Sequence, residues 1–77
     1  MPRGPEARRV IDGRDLLPPE PMTLTLAALG ELPSGAQLVL LLYREPFPLY
    51  AVLAREGFTH RTELAADGTY SIHIRHG

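Results

Sequence analysis

Cysteine is absent from this chain of 77 residues, and so are lysine, asparagine and tryptophan. Without cysteine there can be no disulfide bond, no thiolate metal ligand and no thiol-based mechanism. All 8 basic residues are arginine, and another 8 residues are proline. A GC-rich bacterial genome would explain this composition. The shortage of thermolabile side chains would equally suit a thermophile, and composition alone does not separate the two.

Long apolar runs and a large net charge are also missing. No apolar run exceeds six residues, whereas a membrane-spanning helix needs roughly 20. The formal net charge is −1, so no field over the whole chain attracts nucleic acid or an anionic membrane. No charged-then-apolar leader stands at the N-terminus. We therefore expect a cytoplasmic domain that binds neither nucleic acid nor a membrane.

A central strand is predicted over residues 38–43, an apolar run between turn signals. A chain of this length makes one domain with a compact core. Residues 1–7 contain two prolines and a glycine without apolar periodicity, which predicts a disordered tail. Residues 8–77 are then the folded domain.

The other predicted elements stand on both sides of the central strand. Prolines precede both helices, and Asp67-Gly68 is the turn of a C-terminal hairpin. In chain order these elements are a strand at 8–12, a helix at about 21–31, a second helix carrying Leu49, Val52 and Leu53, and hairpin strands at 58–64 and 69–75.

The order β-α-β-α-β-β predicts an α/β (α+β) fold in two layers. A right-handed β-α-β unit has parallel strands, so the sheet is mixed and four-stranded with both helices on one face. On the first helix, Met22, Leu26 and Leu29 are expected to form the buried stripe, with Leu24 and Ala28 outside it.

The sheet face without helices is expected to carry apolar residues. Val39 and Leu41 alternate with Leu38, Leu40 and Leu42, so they point away from the helices. An exposed apolar pair usually needs a partner. We therefore predict self-association, or docking of another protein, through this open sheet face.

The candidate site is the sheet edge where the two parallel strands end, because ligands of open α/β sheets collect there. Two helix N-termini would add partial positive charge to Arg14 and Arg44, which suits a small anion or a partner's acidic tail. Alternatively, Asp15, Glu20 and Glu45 neutralise these arginines and cap the helices. That explanation accounts for every residue. The members of this edge, the proline rim, are Arg14, Pro18, Pro19, Glu20, Pro21, Arg44, Glu45 and Pro46.

Catalytic and metal-binding patterns are weak. Ser34 and Ser71 lack a nucleophile motif, and an open rim offers carboxylates little desolvation. A metal site would have to use His60, His73 and His76, of which the last two do not share a strand face. We therefore predict no enzyme activity and no cofactor.

The order of elements and the segment Pro18-Pro19-Glu20-Pro21 resemble the TusA/SirA sulfur carriers. Those carriers hold a Cys-Pro-x-Pro motif at the start of the first helix, and its cysteine carries a persulfide. Here Pro18 stands in place of the cysteine, and proline cannot carry sulfur. The resemblance covers the chain from about Val10 to Arg75 and implies a TusA-like fold for the domain.

A closer likeness is to an uncharacterised TusA-like domain of unknown function. Its Asp-x-Arg-x-Leu-Pro-Pro start resembles the stretch from Asp12 to Pro19, and its His-Asp-Pro-x-Pro-Leu segment resembles the stretch from Arg44 to Leu49. Arg44 replaces the histidine and Glu45 the aspartate. Members of that family occur beside hemerythrin-like and metal-sulfur-related domains, which implies a link to redox, nitrogen-oxide or sulfur metabolism.

These observations favour a non-catalytic binding or accessory module that engages a protein partner or small anion at the proline rim. A different hypothesis is a subunit that binds a metal or redox ligand through His60, His73 or His76. A third is a degenerate sulfur carrier that serves only as a docking platform for a sulfurtransferase.

Overall fold

The computed structural model describes residues 8–77, so the tail predicted over residues 1–7 lies outside the described residues. The predicted order of elements is confirmed, and the predicted strand boundaries differ by no more than one residue. The elements are β1 (Arg8–Asp12), α1 (Glu20–Leu29), β2 (Gln37–Leu42), α2 (Phe47–Arg55), β3 (Phe58–Leu64) and β4 (Tyr70–His76).

The strands form one sheet in the order β1-β2-β4-β3. Strands β1 and β2 are parallel, whereas β4 is antiparallel to both of its neighbours. The predicted mixed four-stranded sheet is therefore confirmed. Neither helix in residues 8–77 has the length and apolarity needed to cross a membrane.

The core lies between the sheet and the helices. Leu38 and Leu40 are almost fully buried, and they pair in register with Ile74 and Ile72 of β4. Both helices contribute to the same cluster, so both cover one face of the sheet, as predicted. The buried side chains that the helices supply are Ala28, Leu29, Leu49 and Leu53.

The buried stripe predicted for α1 is wrong in part. Leu29 is buried and Met22 packs against the core, but Leu26 is 38% exposed, and Thr25 and Ala28 are buried instead. Apolar residues lie on several sides of this helix, so the sequence pattern orients it weakly. Small side chains, Thr25 and Ala28, therefore occupy part of the buried side of α1.

Within residues 8–77 the second sheet face carries no helix, as predicted, but its apolar pair is not exposed. Val39 is only 3% exposed and Leu41 is partly buried. The register places Val10 and His73 on either side of Val39, where they cover it. The predicted exposed pair is therefore wrong, and the argument for self-association based on it no longer holds.

Three connections depend on glycine, and the first is the one between α1 and β2, where Gly35 has φ of 89°. Gly57 joins α2 to β3 with φ of 86°, and Gly68 has φ of 92° in the β3–β4 turn, both in a region that favours glycine. The backbone N–H of Thr69 donates to Oδ1 of Asp67 at 2.9 Å and fixes that turn. The hairpin predicted around Asp67-Gly68 is confirmed.

Candidate functional site

The proline rim lies at the edge of the sheet where β1 and β2 end. Asp12 is in register with Leu41, and the N–H of Gly13 donates to the carbonyl of Leu41 at 2.8 Å, which extends the pairing beyond β1. Leu42 pairs with Tyr70 at the beginning of β4. The β3–β4 turn therefore reaches the same edge, a neighbour that the sequence analysis did not include.

Arg14 is held by a carboxylate of its own turn. Its Nε donates to Oδ1 of Asp12 at 2.8 Å, its Nη2 donates to Oδ2 at 2.8 Å, and its backbone N–H donates to Oδ1 at 3.2 Å. The side-chain hydrogen bond from Arg14 lowers the pKa of Asp12 to about 2, and the same bond raises the pKa of Arg14. The partner is thus Asp12 and not Asp15, Glu20 or Glu45. Only one glycine separates Asp12 from Arg14, so a fork-shaped contact forms across the turn.

Side-chain capping, the alternative explanation for the rim, is wrong. Pro19 and Pro46 occupy the N-cap positions, and neither helix start has a side-chain cap hydrogen bond. Pro21 and Pro48 follow in the first turns and have no N–H group. The helix N-termini consequently offer fewer donors to an anion than the sequence analysis expected.

Glu45 instead belongs to a polar cluster around Tyr50. The Tyr50 hydroxyl donates to Oε2 of Glu45 at 2.9 Å, and its oxygen lies 2.6 Å from Oγ1 of Thr62. Since the phenolic proton goes to the carboxylate, the Thr62 hydroxyl donates to Tyr50. Burial raises the pKa of Tyr50. This cluster ties the beginning of α2 to β3.

The remaining rim residues lie at the surface. Arg44 is exposed, with no ion pair to any residue of the described part of the chain. The Pro18–Pro19 peptide bond is cis. Pro18, Pro19 and Glu20 are exposed, whereas Pro21, Glu45 and Pro46 are partly buried.

Large apolar side chains are exposed at the same edge. Leu17 in the loop before α1 is 79% exposed, and three further large side chains are more than half exposed. Four strands at ~4.8 Å spacing make the edge about 14 Å wide. This surface cannot be predicted from the sequence, because a pattern of apolar residues does not show which of them a neighbour covers. The other three exposed side chains are Tyr43, Phe47 and Leu64.

The three histidines do not converge. The ring of His60 stacks on Tyr50, with centroids 4.2 Å apart. His73 lies on the open sheet face, and Nε2 of His76 is 2.8 Å from the carbonyl oxygen of Leu32. Within residues 8–77, no group of three or more histidine or acidic side chains could hold a metal ion.

A groove of about 550 Å³ lies between the C-terminal parts of the two helices. Its walls are mainly apolar and include Leu26, Val52 and Phe58. The polar side chains that line it are Arg55 and Glu56, which are neighbours in sequence with opposite charges, and His76, whose Nε2 is already engaged with the carbonyl of Leu32. The groove therefore lacks a set of convergent groups that could do chemistry.

The fold and the rim together define a small two-layer α+β domain with a proline-rich, partly apolar edge. The chain belongs to the family described as "Uncharacterized conserved protein (DUF2249)", whose model matches residues 10–76. Comparisons with curated proteins and with solved structures gave no match. The predicted membership of an uncharacterised domain family is confirmed, while the relation to sulfur carriers stays a prediction.

Proposed function

We propose that the protein is a non-catalytic docking module that binds a protein partner through the apolar side chains of its rim. The observation that carries this proposal is the exposure of Leu17, Tyr43, Phe47 and Leu64 on one sheet edge. Exposed apolar surface that is gathered in one place typically marks an interaction site. Aromatic side chains are also enriched at the centres of protein interfaces.

The backbone of the rim supports this proposal because it is already ordered. The N–H of Leu16 donates to Gly13 and the N–H of Glu20 donates to Leu17, which closes the loop that presents Leu17. The N–H of Phe47 donates to the carbonyl of Glu45 at 3.1 Å. Proline restricts these segments further. A surface ordered before binding loses little entropy when a partner docks.

A protein partner suits the rim better than a small anion. Asp12 already neutralises Arg14, and prolines remove N–H donors from both helix starts. Arg44 is the rim cation without an ion pair among residues 8–77. In this proposal Arg44 meets an acidic residue of the partner beside the apolar contact.

The resemblance to sulfur carriers bears on the kind of partner. If the fold is TusA-like, Pro18 occupies the place of the persulfide cysteine, and the module retains the docking surface without the cargo. A sulfurtransferase, or a protein of redox or nitrogen-oxide metabolism, is then the class of partner to test first.

The other hypotheses lack such geometric support. The histidines lie apart, and the described residues form no candidate metal cluster, so we do not propose a metal or redox ligand. Self-association through the open sheet face stays a prediction, but burial of Val39 removes its main argument.

Two matched double variants test the proposal. Leu17→Ser with Phe47→Ser removes apolar surface from the rim, whereas Leu24→Ser with Leu26→Ser removes exposed apolar surface of α1. Both should melt close to the wild type, since all four side chains are exposed. Affinity capture from native extract with quantitative mass spectrometry should show the same enriched proteins for the wild type and the control. The enrichment of these proteins should be at least tenfold lower for the rim variant.

Two outcomes would contradict docking at the rim. The first is equal retention of partners by the rim variant. The second is equal loss by both variants, which would indicate nonspecific apolar adsorption. For an enriched protein, titration with purified material should reproduce the same order of affinities.

A further inference from the structure

The open sheet face contains a shallow depression of about 180 Å³ over β3, β4 and the beginning of β2. Every residue that lines it has a side chain that can donate or accept a hydrogen bond, although the ring of His60 lies on the helix side of the sheet against Tyr50. The lining residues are Gln37, Thr59, His60, Arg61, His73 and Arg75. This surface is separate from the proline rim.

The strand register brings these side chains together. Thr59 is opposite Arg75, and Arg61 is opposite His73 in the β3–β4 pair. Side chains of directly opposite residues on one sheet face are about 5 Å apart. Gln37 precedes Leu38, the partner of Ile74, so it lies beside Arg75 on the neighbouring strand. Five donor side chains thus share one small area.

Positive charge is in excess here, although the net charge of the whole chain is −1. Arg61 contacts Glu63 at 3.2 Å. Arg75 has no ion pair with any residue of the described range 8–77. Arg8 of the edge strand β1 is in register with Gln37, and it adds a third guanidinium group next to the depression. Among the lining residues themselves there is no carboxylate.

His73 provides an independent observation. Both of its ring nitrogens are buried, and neither has a hydrogen-bond partner among residues 8–77. The nearest carboxylate oxygen, Oε1 of Glu63, is 3.5 Å from Nε2. A buried polar group without a partner is destabilising, so such groups are usually satisfied by a ligand or water.

We infer that this depression binds a small tetrahedral oxyanion, either inorganic phosphate or the phosphate group of a small molecule. Guanidinium groups match the oxygens of such an anion in pairs. The hydroxyl of Thr59 and the amide of Gln37 supply further donors. A carboxylate has only two oxygens and would leave several of these donors without a partner. At ~30 Å³ per water the depression holds about six waters, so a phosphate group with a small substituent fits.

The experiment is a titration of the uniformly ¹⁵N-labelled full chain with sodium phosphate at constant ionic strength. Resonances of Thr59, Arg61, His73 and Arg75 should shift together with one dissociation constant, while those of the rim stay in place. Arg61→Gln with Arg75→Gln should weaken binding at least tenfold. The control Arg55→Gln removes an exposed arginine of α2 and should change the affinity less than twofold.

Parallel titrations with glycerol phosphate, and with a single-stranded RNA of ten nucleotides, distinguish the sources of the phosphate group. Tighter binding of glycerol phosphate than of inorganic phosphate assigns the site to a small phosphate ester. Tighter binding of the RNA that is lost in the same double variant would overturn the proposal. The proposal would also be overturned if resonances shifted uniformly over the whole chain, or if Arg55→Gln weakened phosphate binding as much as the double variant does. Either result would indicate nonspecific attraction of phosphate to positive charge. The wild-type shift map decides the question even if the double variant does not fold.

Discussion

The Tyr50 hydroxyl can be removed while the ring stays in place, so Tyr50→Phe isolates the contribution of its hydrogen bonds. The stacking on His60 and the edge contact with Phe47, whose centroid lies 5.9 Å away, involve only the ring. The variant loses the bonds to Glu45 and Thr62. We expect the beginning of α2 to be held less firmly against β3.

The magnitude follows from the kind of bond lost. A hydrogen bond to a charged group contributes about 1.5–3 kcal/mol, and a neutral one about 0.5–1.5. Both bonds are partly buried, so water can replace part of each. We therefore expect the free energy of unfolding to fall by about 1–2 kcal/mol. For a domain of this size this lowers Tm by roughly 4–16 °C.

Urea denaturation followed by circular dichroism measures this change. The matched control is Tyr43→Phe, because Tyr43 is exposed and has no side-chain hydrogen bond within residues 8–77. It should alter the free energy of unfolding by less than about 0.5 kcal/mol. A double-mutant cycle with Thr62→Val should reveal coupling of at least about 0.5 kcal/mol.

The pH dependence gives a second test of the same residue. Burial raises the pKa of Tyr50 above its ordinary value of 10.0. The stability contributed by the protonated Tyr50 hydroxyl is therefore fully present below about pH 10, the unfolded-state pKa. It is lost as the pH rises through the pKa of the folded state, which is higher. Tyr50→Phe should lack this alkaline loss. Equal stability of Tyr50→Phe and the wild type at neutral pH, or an equal cost for Tyr43→Phe, would refute the reasoning.

Two further predictions concern groups outside this cluster. The pKa of Asp12 is lowered to about 2 from an ordinary 3.8, so its contribution to stability is present above about pH 4 and is lost as the pH falls through 2. Thermal melts at acid pH should show this loss of stability in the wild type and a smaller loss in Asp12→Asn. Identical acid profiles of the two proteins would contradict the ion pair. The Thr25 hydroxyl is fully buried and has no hydrogen-bond partner among residues 8–77. Thr25→Val should therefore stabilise the protein by about 1 kcal/mol in urea titrations. The control Thr23→Val removes the hydrogen bond from Thr23 to the carbonyl of Pro19 and should not stabilise the protein. Destabilisation by Thr25→Val would show that the Thr25 hydroxyl has a partner.

The fold could be predicted because its signals are local. The unbroken apolar run of β2, the prolines before each helix and the Asp67-Gly68 turn each specify backbone geometry without help from distant residues. The face that α1 buries could not be predicted in the same way. Its apolar residues lie on several sides, and the buried side includes the small residues Thr25 and Ala28 in place of Leu26.

The position of the rim could be predicted, but its chemistry could not. Topology brings the ends of β1 and β2 to one edge whatever the side chains are. Which carboxylate pairs with Arg14 depends on the turn geometry, and a signal was available in the spacing Asp12-Gly13-Arg14. Exposure of Leu17 and burial of Val39 depend on neighbours from other elements, which sequence order does not reveal.

The two proposed binding surfaces rely on different residues, so one proposal can be wrong while the other is correct. The rim relies on apolar side chains at the ends of the strands, and the oxyanion site relies on Arg61 and Arg75 on the open face. Leu17→Ser with Phe47→Ser should therefore leave phosphate binding unchanged, and Arg61→Gln with Arg75→Gln should leave partner capture unchanged. If Arg61→Gln with Arg75→Gln also abolishes partner capture, the partner must span the two surfaces. In that case the arginines would contact a phosphorylated or acidic part of the same protein.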